Sequence, residues 1–313
     1  MKPKVYIDGK DGTTGLQIYD RLSKRDDIDL LLIDEAKRKD ADERRKLMNA
    51  ADLVFLCLPD AAAVEAVTLV DNPATRIIDA STAHRTAPGW AYGFPELSAE
   101  HREAVRNSRR VANPGCHATG FISVVYPLVA AGALSKDAAL SCFSLTGYSG
   151  GGKKMIAEFE DSSRDPLLDS PALYAVGQSH KHLPEMQKVC GLSVPPVFCP
   201  IVDDYYKGMA GTVPLHASQL SGVSCPEDLR RIYQAHYSAA GGVVSVLEEG
   251  APARIHAGAL AGQDRLEIVV AGNGDRVTVT ALFDNLGKGA SGAAVQNMNL
   301  ILGFDETAGL NLE

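Results

Sequence analysis

The sequence predicts an α/β plus α+β fold. A parallel, doubly wound sheet occupies roughly residues 1–115, and a second α+β domain on a largely antiparallel sheet occupies residues 116–285. Three observations predict it. Short apolar runs alternate with helix-period segments in the first third of the chain. Strand-like runs with turn signals and few helices fill the middle. A helix rich in small residues closes the 313-residue chain, which is long enough for two domains.

The elements follow in order. "KVYID" (4–8) reads as a strand, "GKDGTTG" as a turn, and "LQIYDRLSKRD" as a helix with apolar residues on one face. "IDLLLID", "ADLVFLCLP" and "TRIIDAS" read as three further strands. "ADERRKLMNA" and "DAAAVEAVTLV" are the helices between them. In the second domain, "ALSCFSLTGYS", "VPPVFCPIV", "AGTVPLHA", "GGVVSVLEE", "RLEIVVAGN" and "RVTVTALFD" read as strands, and "PEDLRRIYQAHYSA" is the clearest helix. "GASGAAVQNMNLILGF" is the small-residue helix at the end.

Bulk properties narrow the function. The net charge of −8 and the pI near 5.5 argue against nucleic acid as a partner. The basic clusters "KRKDADERRK" and "RNSRR" are interleaved with acids or short, and read as solvated helix faces. No window has the apolar length of a membrane span, and "MKPKVYIDG" lacks a signal peptide's apolar region. The expectation is a soluble, cytoplasmic protein. The six cysteines, Cys57, Cys116, Cys142, Cys190, Cys199 and Cys225, form no C-x-x-C pair and have irregular spacing. That is neither a disulfide framework nor a zinc pattern, so no metal is expected and each cysteine should be a free thiol.

Gly9, Gly12 and Gly15 form G-x-x-G-x-x-G between the first strand and the first helix. Glycines permit the tight turn and close backbone approach, and the helix N-terminus offers N–H donors to a pyrophosphate. Thr13 and Thr14 add hydroxyls. The spacing departs from the usual G-x-G-x-x-G, so the alternative is a turn that binds nothing. The strand–loop–helix context favours a Rossmann-like dinucleotide site. Asp34 and Glu35 end the second strand, where an acid holds an adenosine ribose in NAD enzymes. Lys37, Arg38 and Lys39 follow at once and suit the 2′-phosphate of NADP instead. Charge alone leaves the two open.

In "NPGCHATGF" the turn at Pro114-Gly115 puts Cys116 at or just before a helix N-terminus, where the macrodipole and unpaired N–H groups favour a thiolate. Cys57, Cys142 and Cys199 lie in apolar or strand-like runs and read as packing residues. A nucleophilic cysteine needs a base or proton donor. "SHKHLPE" offers His180 and His182, which face one side if the stretch is extended, with Glu185 opening the next helix. A solvated H-x-H and metal ligation are the alternatives. "GYSGGGKKM" is a glycine-rich loop carrying Ser149, with backbone N–H groups suited to an anion, or else a flexible loop. "DASTAHR" ends the fourth strand at the sheet's ligand-binding edge, where Arg85 can fork onto an anion.

Taken together, "GTTG", "FLCLPDAAA", "DASTAHR", "YGFPEL", "VANPGCHATG", "GYSGGGKKMI", "HKHLPEMQ" and "DNLGKGASGAAVQNMNLILG" resemble the N-acetyl-γ-glutamyl-phosphate reductases of the shorter type, from arginine biosynthesis. They run in order from residue 12 to residue 303, so the resemblance covers the whole chain. The more distant aspartate-semialdehyde dehydrogenases share the layout with different residues around their cysteine. The resemblance implies NADPH as cofactor and reduction of N-acetyl-glutamyl 5-phosphate to the 5-semialdehyde and phosphate. It implies Cys116 as nucleophile, His180 and His182 as catalytic, and Arg85, Asn113, Ser149, Gly150 and Glu185 as substrate contacts. Gly9, Gly12, Thr13, Thr14, Gly15, Arg38, Ser81 and Asn297 would hold NADP(H), the segment 286–313 completing that domain. His117 stands where the family more often carries Tyr. A small-molecule substrate and a homo-oligomer, dimer or tetramer, complete the expectation. The alternative is a related reductase of aspartyl or carrier-linked aminoadipyl phosphate; a basic groove for an acidic carrier is less compatible with the −8 charge.

Overall fold

Val5, Tyr6 and Ile7, and then Leu53 through Leu56, are buried in unbroken apolar runs, the pattern of strands covered on both faces. They sit in a computed structural model that describes residues 1–248 and 250–313. The chain divides into two units, residues 1–114 with 290–310, and residues 115–289 with 311–313.

The first unit holds β1 (Lys4–Asp8), α1 (Thr13–Leu22), β2 (Asp29–Leu31), α2 (Ala41–Ala50), β3 (Leu53–Leu56), α3 (Asp60–Val67), β4 (Arg76–Asp79), β5 (Ala91–Tyr92), α4 (Ala99–Asn107) and β6 (Arg110–Ala112). Among the described residues the sheet order is β2-β1-β3-β4-β6-β5, with every pairing parallel. α2 opens where Asp40 accepts from the N–H groups of Asp42 and Glu43. The second strand is shorter than its apolar run. Asp34 accepts from Ala36 N and starts a single 3₁₀ turn there.

The second unit holds α5 (Cys116–Ala130), β7 (Ser141–Gly147), α6 (Gly152–Glu160), β8 (Ala172–Leu173), α7 (Leu183–Cys190), β9 (Val197–Asp203), β10 (Met209–His216), α8 (Pro226–Tyr237), β11 (Val244–Val246), β12 (Leu266–Gly272) and β13 (Arg276–Phe283). The order is β11-β12-β13-β10-β7-β9-β8. The sheet is more mixed than its sequence suggests. β10 pairs antiparallel with β7 and β13, whereas β7 runs parallel to β9, and β11 to β12. The long connection through α6 and α7 is what lets β7 and β9 run parallel. α5 packs on β10 and β13. Along β7, Cys142, Ser144 and Thr146 are buried, while Phe143 on the opposite face is 46% exposed.

The last helix, α9 (Gly292–Leu302), belongs to the first unit. Its Ala294, Val295, Met298, Leu300 and Ile301 share one core with Val5, Ile7, Ile18, Phe55 and Val111.

Candidate active site

In the first unit, the carboxyl ends of the strands collect the polar residues, as such sheets do at their ligand edge. Gly9 has φ 83°, and a Cβ there would lie 2.4 Å from the Cys57 carbonyl oxygen. A Cβ at Gly15 would lie 2.4 Å from the Gly9 oxygen. Both are therefore demanded by the turn itself. Gly12 is different. It caps α1 without a side-chain bond, and a Cβ would come no nearer than 3.4 Å to its surroundings. A Cβ at Gly12 would thus meet only ordinary contacts, so the turn itself does not demand glycine there. Thr13 and Thr14 begin α1.

Beside this loop opens a cleft of about 400 Å³, lined by Gly9, Lys10, Asp11, Arg38, Lys39 and Arg44 among others. Arg38 is exposed and ion-paired with Asp11 and, at 2.7 Å, with Glu35. Lys37 lies 3.8 Å from Glu43. Sequence reasoning missed the pair beneath them. Arg44 Nη2 donates to the buried Asp8 carboxylate at 2.7 Å, and Tyr6 Oη donates to it at 3.4 Å. Burial and the Asp8 charge push the Tyr6 phenol well above its usual range. The signal was Asp8 itself, an acid ending a buried strand that needs a cation.

At the end of β4, Ser81 donates through N and Oγ to Asp79, at 2.9 and 2.7 Å. Asp79 also contacts His84 Nδ1 at 2.6 Å, and the His84 ring stacks on Trp90. Arg85 Nε donates to the Asn113 carbonyl at 3.0 Å. Asn297, on α9, donates to Gly93 O at 2.9 Å and to Asn113 Oδ1 at 3.1 Å. Its own Oδ1 is buried and has no hydrogen-bond partner among the described residues. Arg85, Asn113 and Asn297 thus form one linked group.

In the second unit, Gly115 is the N-cap of α5 and Cys116 its first residue, so the capping position brings no side chain of its own. Glu185, 1% exposed on α7, accepts from Gly115 N at 3.4 Å. Gly289 backs the cysteine, where a Cβ would come within 3.0 Å of the Cys116 Cβ. Cys116 is half-buried, whereas burial pushes the Cys142 thiol up to about 12 and raises those of Cys57 and Cys190 further.

The segment before α7 is a turn rather than extended. Pro184 in the first helical turn starts α7, and His182 as N-cap already has helical angles, φ −85° and ψ −14°. The two imidazoles still meet, with ring centroids 4.6 Å apart, edge to face. His182 N donates to His180 Nδ1 at 3.2 Å, which leaves the proton of the neutral His180 ring on Nε2. The "GYSGGG" stretch is likewise built, as a 3₁₀ turn (Tyr148–Gly151) leading into α6. Ser149 Oγ accepts from Asn285 Nδ2 at 3.0 Å, and a Cβ at Gly150 would stand 3.2 Å from Thr146 Oγ1. His117 and Tyr174, which reasoning from the sequence gave no role, join His180 and His182 in one aromatic group.

The model for the semialdehyde dehydrogenase dimerisation domain matches residues 116–285, and that for the semialdehyde dehydrogenase NAD binding domain matches residues 32–105. N-acetyl-gamma-glutamyl-phosphate reductase of Brucella ovis is 48% identical over 97% of this chain and 100% of the relative. N-acetyl-gamma-glutamyl-phosphate reductase 2 of a Nostoc species is 44% identical over 99% of both chains. The chain belongs to the N-acetyl-gamma-glutamyl-phosphate reductase family. Of solved structures, aspartate semialdehyde dehydrogenase II from Vibrio cholerae aligns with a TM-score of 0.74 at 15% identity, covering 96% of this chain and 98% of that one. The aspartate semialdehyde dehydrogenase from Candida albicans aligns at 0.67 and 16% identity, covering 95% and 98%. These reductases therefore share the semialdehyde dehydrogenase fold. Among the described residues there is no helix long and apolar enough to cross a membrane, and no cluster of side chains suited to a metal.

Proposed function

We propose that this chain reduces N-acetyl-L-glutamyl 5-phosphate to N-acetyl-L-glutamate 5-semialdehyde and phosphate, with NADPH as reductant, in arginine biosynthesis in the cytoplasm. The observation that carries the reading is Cys116 as the first residue of a helix that opens on Gly115, with two histidines grouped on the ring of its neighbour His117. The names of the full-length relatives support it.

The Cys116 thiolate attacks the acyl carbonyl, phosphate leaves, and a thioester forms. The first-turn N–H groups of α5 stabilise the oxyanion, and the macrodipole favours the thiolate. NADPH, when bound, supplies the hydride that takes the thioester to the aldehyde. His180 is the proton carrier in this reading, its ring oriented by the bond that its Nδ1 accepts from the His182 backbone N–H. His182, buried at the start of α7, orients it, and Glu185 holds the Gly115 end of the cysteine turn. The family resemblance assigns Arg85, Asn113, Ser149 and Gly150 to contacts with the anionic substrate.

The residues of the first unit fit a dinucleotide. Gly12, which the turn does not itself demand, suits close approach of a pyrophosphate to the start of α1, and Gly9, Thr13, Thr14 and Gly15 shape that turn. Arg38 at the cleft suits a 2′-phosphate, Ser81 lies at the sheet edge, and the orphaned Asn297 Oδ1 suits the carboxamide N–H of a nicotinamide.

The reading includes a homo-oligomer, dimer or tetramer, formed through the outer face of the second sheet. Phe143 and Val197 stand 46% and 55% exposed there, on adjacent strands, and the matching model describes a dimerisation domain. Two measurements test the whole. NADPH formation from N-acetylglutamate semialdehyde plus phosphate should exceed that from aspartate semialdehyde or a carrier-linked semialdehyde; preference for either rival overturns the substrate. Sedimentation should show an oligomer that Phe143→Asp dissociates, and a monomeric parent chain overturns the assembly.

A further inference from the structure

His117 has no part in the reaction above, yet it sits at the centre of the second unit's aromatic group. Its ring centroid lies 5.5 Å from His180, 5.7 Å from His182 and 5.1 Å from Phe198. The side chain is buried and both nitrogens are engaged. Nδ1 is 2.7 Å from Ser144 Oγ, and Nε2 is 2.5 Å from Tyr174 Oη. Burial, helped by the neighbouring His180, pushes its pKa down to about 3. Near neutral pH the ring therefore has one N–H donor and one acceptor.

Ser144 decides which nitrogen donates. It is 1% exposed on β7, and among the described residues the His117 ring is the hydrogen-bond partner of its hydroxyl. A buried hydroxyl proton needs an acceptor. Were the ring proton on Nδ1, Ser144 could only accept, and its own proton would be stranded. With Ser144 Oγ–H donating to Nδ1, the ring proton lies on Nε2 and is donated to the Tyr174 oxygen. The phenol then accepts from the ring and its own proton is unspent. Tyr174 is half-buried, and its ring centroid lies 6.1 Å from that of His180. Burial and the charge of Cys116 hold the phenol well above its usual range, so it keeps its proton.

We propose that His117 is a positioning residue: fixed by Ser144 as the Nε2–H tautomer, it holds the Tyr174 oxygen and leaves the phenol proton to donate to an oxygen of substrate bound at Cys116. The inference rests on Cys116 being the nucleophile. The opposite tautomer would spend the phenol proton on the ring and present a lone pair to the substrate oxygen. The chain Ser144–His117–Tyr174 thus sets the sign of one contact in the site. Bonds in such a chain polarise one another, so the ring also makes the phenol a better donor.

Nitrogen-15 NMR of histidine-labelled enzyme reads the tautomer directly. His117 should show a protonated Nε2 and a bare Nδ1, unchanged from pH 5 to pH 8; a protonated Nδ1 or an imidazolium overturns the proposal. In kinetics, His117→Phe should lower kcat about 10- to 100-fold, up to the low end of what one lost oxyanion-type donor costs, because the ring acts through the phenol. The Michaelis constant for NADPH should not change. His117→Gln, whose amide N–H can reach the Nε2 position, should recover most of the loss, and His117→Asn should not. Tyr174→Phe should match His117→Phe, and the double variant should be no slower than either, because one acts through the other. Full activity in His117→Phe, or additive losses in the double variant, overturns the positioning role. Mass spectrometry of acylated Cys116 in the parent enzyme separates the two readings. If the parent forms no acyl-enzyme, the nucleophile reading fails and this inference with it. If the parent acylates and His117→Phe turns over normally, only this inference fails. Should His117→Phe not fold, the Gln and Asn variants and the NMR spectrum still decide.

Discussion

Cys116 differs from the other cysteines in place rather than in kind. It opens a helix and is half-buried, while Cys142 and Cys190 are enclosed and their thiols pushed up by burial. Limiting iodoacetamide should label Cys116 ahead of those two, with activity falling in step, as peptide mapping will show. Cys116→Ser should fold and bind NADPH but lose reduction; a variant that keeps most of its turnover removes the covalent mechanism. Arg38 is a second residue-scale case. Its partners Asp11 and Glu35 already compete for it, and it is exposed. Arg38→Ala should raise the Michaelis constant for NADPH about tenfold, near the low end for a charge-assisted contact, and leave that for NADH unchanged. Equal effects on both cofactors would take Arg38 out of the phosphate role. The helix-opening cysteine was legible because Pro114-Gly115 marks the turn in the sequence. The Asp8–Arg44 pair and the His117–Tyr174 bond were not, since their partners stand 36 and 57 positions apart and no local pattern joins them.

At the scale of elements, periodicity served best where the chain is local. α2 spans the predicted "ADERRKLMNA" because Asp40 caps it, with Met48 its one buried residue among those described. The parallel β7–β9 pairing was illegible, because strand direction depends on the connection between strands and not on either strand's alternation. The histidine turn was misjudged for a similar reason: Pro184 reads backwards, fixing the helix start and with it His182. The three loop glycines should separate by their surroundings. Gly9→Ala places a Cβ 2.4 Å from a carbonyl at φ 83°, and should cost about 1–3 kcal/mol of stability by urea unfolding. Gly12→Ala should cost under about 1 kcal/mol, within the ordinary helix-end range, yet weaken NADPH binding by titration. If Gly12→Ala binds NADPH as the parent does, the loop is a turn and nothing more.

For the whole molecule, one buried ring should be visible in the stability curve. His117 has its pKa depressed from 6.5 to about 3 in the folded chain. The unfolded chain therefore binds the extra proton between those values. Its contribution to stability is fully present above pH 6.5 and is lost as pH falls toward 3. The local slope is about 1.4 kcal/mol per pH unit. Urea midpoints at pH 7 and pH 5 should thus fall further for the parent than for His117→Phe. Equal falls would mean that the ring is already charged in the folded state.

The placement of α9 has a consequence for the order in which the protein is made. The first unit's core needs Val295, Met298 and Ile301 against Val5, Ile18 and Phe55. Arg25 donates to Asn299 at 2.6 Å, and Arg76 to the Ile301 carbonyl at 2.9 Å. The parallel sheet is translated first, yet its hydrophobic interior stays unfinished until residues 290–310 emerge from the ribosome. The second unit, nearly all in one continuous run, needs no such wait. On a nascent chain halted after residue 289, proteolysis should cut within residues 1–114 and spare α5 to β13. The late arrival of α9 leaves the apolar interior of the parallel sheet open during synthesis, and a truncation that removes α9 should destabilise the whole first unit.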